Sequence, residues 1–322
     1  MDPLSQAAFG AAAAQISAPR KHAAAAIVAG GLGGMAADLD IFIQSSANPT
    51  LGLFLHRHFT HSLPFVPVGG LLMALALWGV LKFLHAKFPE RGARKPQFKK
   101  LWLFCTIGYA THGLVDTLTS YGTVLLWPFT ETRFALDWVA IIDPIVTVPL
   151  LVGIWLSYWQ KSSRILAYCC GFVFIYIAFL GAWHARTTAL MQAHLAKTKI
   201  TAENLRVLPV LFKPFKYRGV YLTQGRIEVA NISTHLNGAY TIAHGGSVLL
   251  FDVEAYAKQN PQLAETIKRY AWFADGFIGQ YATLPLVLGD FRYGRFETPV
   301  DPLWGLKIDT HTQTAAPISL RR

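Results

Sequence analysis

Four long apolar runs in the first 184 residues limit most strongly how this chain can fold. Each has roughly the 20 residues that a helix needs to cross a bilayer; they are Leu63–Leu84, Leu101–Tyr121, Val139–Trp159 and Ile165–Trp183. Because backbone groups inside a bilayer must hydrogen-bond within their own segment, these runs predict helices. Charged residues make up 15% of the chain, against roughly 25% in soluble domains. The chain is therefore predicted to be an integral membrane protein.

A fifth apolar segment, Ala23–Ala37, is short for a span at about 15 residues. It contains Gly30, Gly31, Gly33 and Gly34, and small residues allow helices to pack closely in membranes. We favour a first helix with a glycine-mediated packing face. A half-span and a signal-like segment cut near Ala37 are the alternatives. As a helix, it brings the predicted number of transmembrane helices to about five.

The chain changes character after His184, where polar residues and turn signals become frequent. Strand signals occur at Val207–Phe212, Val220–Ile232 and Ser247–Phe251, and Glu254–Tyr270 resembles a helix. We predict an α-helical integral membrane domain over residues 1–184. An α+β extramembrane domain follows over residues 185–322.

The distribution of basic residues predicts an orientation. Cytoplasmic loops of membrane proteins collect Lys and Arg. The loop His85–Lys100 carries Lys87, Arg91, Arg94, Lys95, Lys99 and Lys100 against one acid, Glu90, and Lys161 and Arg164 mark a second basic turn. Counting helices from these loops places the C-terminal domain outside the cytoplasm. Much of the net charge of +11 lies in this loop, and no aromatic-interleaved basic stripe indicates nucleic acid as a partner.

Two clusters of ionisable residues lie beside or inside the apolar runs. His56-Arg57-His58 precedes the second predicted helix, and His112 and Asp116 lie inside the third. Such residues are costly in a membrane and indicate a functional site by default. His112 and Asp116 are four residues apart, so they share one face of a helix. His and Asp side chains are also common metal ligands.

The predicted orientation brings several acidic and histidine residues to one face of the membrane. Asp38 and Asp40 would point to one side if their segment is extended, whereas His56 and His61 need a bend between them. The full set adds Arg57, His112, Asp116, Asp137 and Asp143. Three or more such ligands with an open position indicate a catalytic site, and about six could hold two ions.

Each of these residues also has a simpler interpretation. His112 and Asp116 could be a hydrogen-bonded packing pair, and His56-Arg57-His58 could be an interfacial anchor for lipid phosphates. Asp143 before Pro144 could cap a helix, and Asp137 could be a solvated loop residue.

The three cysteines predict neither a disulfide framework nor a zinc site. Cys105, Cys169 and Cys170 all lie in apolar runs and lack zinc-ligand spacing. We expect them to be buried small hydrophobic residues.

The ordered motifs of the first half resemble those of a known family. They are Asp38-Leu39-Asp40, His56-Arg57-His58-Phe59-Thr60-His61-Ser62, His112-Gly113-Leu114-Val115-Asp116-Thr117 and Trp127-Pro128. Together they are similar to the YdjM-type family, bacterial inner-membrane proteins described as predicted metal-dependent hydrolases. The resemblance covers roughly residues 20–185. Trp272–Asp275 and Asp290–Tyr293 resemble an extra domain of longer members.

The resemblance implies a divalent metal ion and a hydrolytic activity. The implied metal ligands are Asp38, Asp40, His56, His61, His112 and Asp116. Zinc is the expected ion, with manganese as the alternative. The chain departs from the family where Ile41-Phe42 follows Asp40, since members often carry a further polar residue or His near there. One ligand could therefore be absent or come from elsewhere.

The leading hypothesis is a membrane-bound metal-dependent hydrolase at the outer face of the inner membrane. Its substrate would be a small molecule, a phosphoester or a lipid-linked compound that arrives from the bilayer or the far compartment. Asp40 or Asp116 would act as general base, and Arg57 would bind an anionic group. Thr60, Ser62 and Thr117 would orient the ligands.

Two other functions remain as alternatives. A transporter would use the His and Asp residues as a relay and predicts inverted repeats, which the sequence does not show. A non-enzymatic membrane anchor would bind a partner through its C-terminal domain, and that domain would then carry the phenotype.

Overall fold

A computed structural model describes residues 1–45, 48, 50–88, 97–283, 285–309 and 312–320. The chain divides into two units. The first comprises Met1–Ile41 and His56–Gly181, and the second comprises Phe42–Leu55 and Ala182–Arg322. Half of the basic loop from which the orientation was predicted, including Glu90, Arg91, Arg94 and Lys95, lies outside the described residues.

The described helices cover most of the first unit and parts of the second. They are α1 (Pro3–Ser17), α2 (Ala23–Met35), α3 (Leu51–Leu55), α4 (Val66–Lys87), α5 (Phe98–Asp116), α6 (Pro144–Trp159), α7 (Ser163–Lys197), α8 (Val253–Gln259) and α9 (Ala264–Phe273). Short 3₁₀ helices cover Arg20–His22, Ala36–Phe42, Phe59–His61 and Leu63–Phe65.

Three helical segments of the described chain are long and apolar enough to cross a membrane: Arg20–Phe42, Leu63–Lys87 and Ser163–Lys197. The predicted number of about five is therefore not confirmed. Helix α6 is apolar but has only 16 residues, or about 24 Å at 1.5 Å per residue, against a hydrocarbon core of about 30 Å. Helix α5 mixes its apolar residues with Lys99, Lys100, His112 and Asp116.

Glycines bring α2 into close contact with both α1 and α5. A Cβ atom on Gly34 would lie 2.4 Å from the carbonyl oxygen of Gln6 in α1. A Cβ atom on Gly33 would lie 2.3 Å from the carbonyl oxygen of Cys105 in α5. Since only glycine lacks this atom, the backbones can approach closely. The predicted glycine-mediated packing face is confirmed, and α1 is one of its two partners.

The first unit keeps a small core and exposes large apolar side chains. Val146, Leu150 and Val173 belong to one buried cluster. By contrast, Phe83 on α4 is 65% exposed and Phe174 on α7 is 74% exposed. Exposed side chains of this size fit helices that face lipid.

The second unit contains two four-stranded antiparallel sheets. Their strands follow sequence order, β1-β2-β3-β4 and β5-β6-β7-β8. The strands are β1 (Glu203–Pro209), β2 (Lys216–Thr223), β3 (Arg226–Thr234), β4 (Tyr240–Leu249), β5 (Ile278–Thr283), β6 (Leu286–Asp290), β7 (Trp304–Asp309) and β8 (Thr314–Ser319). The predicted α+β domain is thus more specifically an all-antiparallel β unit with short helices.

Turn residues explain two differences from the predicted elements. Val220–Ile232 is a hairpin of β2 and β3, joined at Gln224 and Gly225, whose φ angles are 48° and 71°. Positive φ at both positions is the signature of a tight hairpin turn. Glu254–Tyr270 is divided into α8 and α9, because Pro261 lies between them and lacks an amide hydrogen.

The turn at Gly225 provides a first prediction. Replacing Gly225 with Ala should lower stability by about 1 kcal/mol, because its φ of +71° disfavours a side chain although the surrounding space is open. Gln224→Asn is the matched variant, and it should be neutral or slightly stabilising because Asn tolerates this conformation. Thermal unfolding of the purified variants measures both effects, and equal melting temperatures for Gly225→Ala and wild type would contradict the first.

Candidate metal centre

Three segments of the first unit bring the predicted ligands together. The 3₁₀ helix Ala36–Phe42 carries Asp38 and Asp40, and the last turn of α5 carries His112 and Asp116. The third segment, residues 56–61, bends at Arg57, whose φ is 63°. The expected bend between His56 and His61 is therefore present. The segment that carries Asp38 and Asp40 is a 3₁₀ helix and is not extended, so the condition under which both carboxylates would point to one side is not met.

The first group consists of Asp38, His61, His112 and Asp116, whose ligand atoms all lie within 4.8 Å of one another. The Nε2 atoms of His61 and His112 are 2.9 Å apart. Each lies 3.4 Å from Asp38 Oδ1 and 3.5 Å from Asp116 Oδ2. Ligands about 2.0–2.2 Å from a tetrahedral zinc ion are about 3.3–3.6 Å apart. The four separations between a histidine Nε2 and a carboxylate oxygen, 3.4 or 3.5 Å each, match that spacing.

Hydrogen bonds fix which ring nitrogens face this group. His112 Nδ1 lies 2.5 Å from the carbonyl oxygen of Gly34. Because a carbonyl only accepts, Nδ1 carries the proton and Nε2 presents a lone pair. His61 Nδ1 lies 3.0 Å from Thr60 Oγ1, and that hydroxyl donates to Asp40 Oδ2 at 2.8 Å. The same assignment follows for His61, so two lone pairs and two carboxylates converge.

The carboxylate of Asp116 is fully buried among donors. Its Oδ1 accepts a hydrogen bond from Gln6 Nε2 at 2.9 Å and also contacts the amino group of Met1. Its Oδ2 lies 3.2 Å from Arg57 Nε, but not in hydrogen-bonding geometry. A buried carboxylate oxygen without a hydrogen-bond donor fits a position for a cation. The residues present therefore fit a divalent ion.

The second group consists of Asp38, Asp40 and His56. Asp40 is 3% exposed, and its two oxygens accept from several donors. Oδ1 lies 2.7 Å from His56 Nδ1, and Oδ2 accepts from the backbone N–H of Arg57 at 3.1 Å. Asp38 is shared by both groups. Asp40 is thus placed to orient two histidines, a common arrangement behind metal ligands.

Among the residues of the two groups, only His56 and Asp38 have partly exposed side chains. The side chain of His56 is 24% exposed and that of Asp38 is 18% exposed, whereas those of His61, His112 and Asp116 are buried completely. Solvent therefore reaches the two groups from the side of His56 and Asp38.

Several predicted residues lie elsewhere among the described residues. Asp137 and Asp143 belong to neither group. Asp143 caps α6 by accepting from Ile145 N at 2.9 Å, which is the simpler interpretation of that residue. The hydroxyls of Ser62 and Thr117 donate to the backbone carbonyls of Phe59 and Leu114 instead of contacting a ligand.

The ring of His58 lies among aromatic side chains rather than in either group. Its centroid is 6.4 Å from that of Phe59 and 6.2 Å from that of Trp127. Burial lowers the pKa of His58, while Glu131 acts in the opposite direction and Arg133 adds to the lowering.

The sequence did not predict the residues that hydrogen-bond to the candidate ligands or to the segments that carry them. Gln6 comes from the Ala-rich helix α1, for which the sequence predicts no role. Tyr109 donates to the carbonyl of Thr60 at 2.7 Å, and Thr119 accepts from Arg57 at 3.1 Å. The signal for Gln6 was an amide among small residues, a feature that Gln15 of the same helix shares. Nothing local indicated that the carbonyl of Gly34 would hold His112.

Comparison with known proteins gives two matches and one absence. The profile of the YdjM inner membrane protein family matches residues 1–187. Inner membrane protein YbcI of Escherichia coli (strain K12) is 33% identical over 88 residues, which cover 27% of this chain and 43% of that protein. The chain thus matches less than half the length of this relative. No solved structure matches.

Proposed function

Because the chain belongs to the YdjM family of inner membrane proteins, we propose that it is a membrane-bound metal-dependent hydrolase. Its site is the group formed by Asp38, His61, His112 and Asp116 together with His56 and Asp40. The substrate class that fits best is a phosphoester or a lipid-linked compound. The observation that carries the proposal is the pair of Nε2 atoms 2.9 Å apart, both facing carboxylate oxygens.

A purely structural cluster explains this arrangement less well than a bound ion does. Two lone pairs at 2.9 Å repel each other unless a proton or a cation lies between them. Three carboxylates, those of Asp38, Asp40 and Asp116, outnumber the guanidinium of Arg57 and the amino group of Met1 that lie beside them. A buried excess of negative charge is costly unless a cation compensates it.

Four residues would hold the ion, and the donor set limits its identity. Asp38, His61, His112 and Asp116 supply two imidazole nitrogens and two carboxylate oxygens, which suit zinc and also manganese. Such an ion supplies Lewis-acid activation of water and of the substrate. Asp38 also lies in the second group, so a second ion would share this carboxylate.

His56 is the best candidate for the general base. It is partly exposed, and Asp40 Oδ1 lies 2.7 Å from its Nδ1. A carboxylate in this position orients the ring and leaves Nε2 for proton transfer. By contrast, Asp40 and Asp116, the residues favoured from sequence, are buried and surrounded by donors, so roles in orientation and ion binding suit them better.

Arg57 fits a role inside the protein better than contact with a substrate. The residue is 4% exposed, its Nε lies 3.2 Å from Asp116 Oδ2, and its guanidinium lies 4.6 Å from the ring centroid of Tyr121. These contacts hold the Asp116 carboxylate in place. The anionic group of the substrate would then be recognised by the bound cation and not by Arg57.

We further propose that the site faces the compartment outside the cytoplasm. The support is the charge of the loops, since Lys87, Lys99 and Lys100 lie at the ends of α4 and α5 that are remote in sequence from His61 and His112. The same count of loops and helices supports an extracytoplasmic C-terminal unit.

The test is a screen of phosphomonoesters, phosphodiesters and lipid-linked pyrophosphates with purified protein, with and without a chelator. We expect a chelator-sensitive hydrolysis that His56→Gln reduces by roughly 100-fold or more, the typical contribution of a general base. Because His56 is not in the first group, the metal content of this variant should stay near that of the wild type.

An exposed histidine of the other unit provides the matched control. His235→Gln should leave both the metal content and the rate unchanged. A rate that is insensitive to chelation, or no hydrolysis of any tested class by metal-loaded protein, would contradict the hydrolase. Full activity of His56→Gln would show that His56 is not the general base, but it would not contradict the hydrolytic activity.

A further inference from the structure

A cavity lies at the opposite end of α2 from the candidate metal centre. It has a volume of about 520 Å³ and is formed by the end of α1, the residues before α2, and the turn between α6 and α7. Asp38 and Asp40 follow the last residue of α2, whereas this cavity contains residues that precede its first. The two sites therefore share no residue.

The lining of this cavity is strongly basic. Arg20, Lys21 and Lys161 contribute three cations, and no Asp or Glu is among the described residues that line it. Lys161 lies in the turn between α6 and α7, where its φ is 51°. Lys100 adds a further cation at the same end, where its Nζ lies 2.7 Å from His22 Nε2. Clustered cations without a carboxylate favour an anion.

Hydroxyl groups and helix ends complete the lining. Ser162 and Ser163 can donate hydrogen bonds to an anionic oxygen. The cavity meets the starts of α2 and α7, which favour anions, but also the ends of α1 and α6, which disfavour them. Two helix N-termini and two helix C-termini meet the cavity, so their dipoles largely cancel. The charges of the side chains therefore determine the preference of the cavity for an anion.

Two aromatic side chains place this cavity at the level of a membrane surface. Tyr158 and Trp159 belong to its lining, and Trp159 is 67% exposed. Tyr and Trp are enriched where a bilayer meets water. Since α7, a candidate span, starts at this turn, the cations lie where the headgroups of lipids would lie. Clusters of basic residues beside a span commonly bind anionic lipids.

We propose that this cavity binds a phosphate group, and that its source is the headgroup of an anionic phospholipid. Arg20, Lys21 and Lys161 bind the phosphate, Ser162 and Ser163 donate to its oxygens, and Trp159 lies against the acyl-chain boundary. The site is separate from the proposed hydrolytic site, so it does not depend on that activity.

The test compares phosphatidylglycerol with phosphatidylcholine on the full-length protein by native mass spectrometry from mixed micelles. The wild type should retain phosphatidylglycerol preferentially. The triple variant Arg20→Gln, Lys21→Gln, Lys161→Gln should lose this preference by on the order of 100-fold, since each of the three cations contributes about 1 kcal/mol near a membrane surface. Raising the salt concentration should weaken binding to the wild type, since these residues are exposed.

A control variant carries the same change of charge elsewhere. Lys197→Gln, Lys258→Gln, Lys307→Gln alters three exposed lysines that do not line the cavity, and it should bind like the wild type. Inorganic phosphate, measured by calorimetry on the delipidated protein, separates the two sources. Binding of inorganic phosphate without lipid preference would support the phosphate site with free phosphate as its ligand. Equal retention of both lipids, unchanged in the triple variant and without phosphate binding, would overturn the proposal.

Discussion

Replacement of His112 with Ala is expected to reduce bound metal from about one ion per chain to background. The side chain is buried, and its Nε2 lies within 3.5 Å of the ligand atoms of His61, Asp38 and Asp116. Removing it deletes one of four donors and leaves the Gly34 carbonyl without its partner. Elemental analysis of the detergent-purified protein, after loading with zinc or manganese, measures the loss.

Two further variants separate metal binding from folding. Asp38→Asn keeps the shape of a ligand that is 18% exposed, so the protein should fold but bind metal at least about 10-fold more weakly. Tyr109→Phe removes only the hydrogen bond to the Thr60 carbonyl, 2.7 Å long. It should cost about 1 kcal/mol of stability and keep its metal. Equal metal content in wild type and His112→Ala would rule out the first group as the ion site.

Replacement of Gly108 with Val is expected to prevent the normal packing of α5 on α2. Even the first side-chain atom, Cβ, would lie 2.0 Å from the carbonyl oxygen of Gly30. That neighbour is backbone in a helix and cannot rotate away, so the helices must separate. The stability should fall by about 3 kcal/mol or more. Metal binding should fall together with stability, because the contact between Gly34 in α2 and His112 in α5 depends on this packing.

Two other helical glycines provide the controls for this variant. A Cβ atom added to Gly79 in α4 or to Gly171 in α7 would meet no described neighbour within 4 Å. Gly79→Ala and Gly171→Ala should be neutral or slightly stabilising, because Ala is the better helix former. Thermal stability measured by size-exclusion chromatography in detergent compares the three. Wild-type stability of Gly108→Val would show that α2 and α5 do not approach as closely as described.

Local residue patterns predicted much of the membrane unit. The apolar runs indicated helices at α4, α6 and α7, because a segment in lipid must satisfy its own backbone. The four-residue spacing of His112 and Asp116 placed both on one face of α5. The predicted number of about five spans is not confirmed, because α5 and α6 are helices but are not among the described segments that are long and apolar enough to cross a membrane.

Positions that depend on contacts distant in sequence were harder to predict. Asp143 resembled the ligands in residue type, but its carboxylate accepts from Ile145 N and from Tyr176 in α7 at 3.1 Å. The hairpin at Gln224 and Gly225 resembles one strand in sequence, because two apolar runs joined by a two-residue turn can look continuous. Turn geometry at those residues depends on the pairing of β2 with β3.

The sequence alone determined the membrane character of the chain, the residue types available for a metal site and the family to which they point. These follow from composition and short spacings, which act within one helix or turn. Only the tertiary structure decided which of those residues meet. It brought Gln6 from α1 to Asp116, fixed the ring of His112 through the Gly34 carbonyl, and left Asp137 and Asp143 outside the groups. The reason is that close helix packing through glycines, which sequence spacing does not reveal, sets the distances between side chains of different helices.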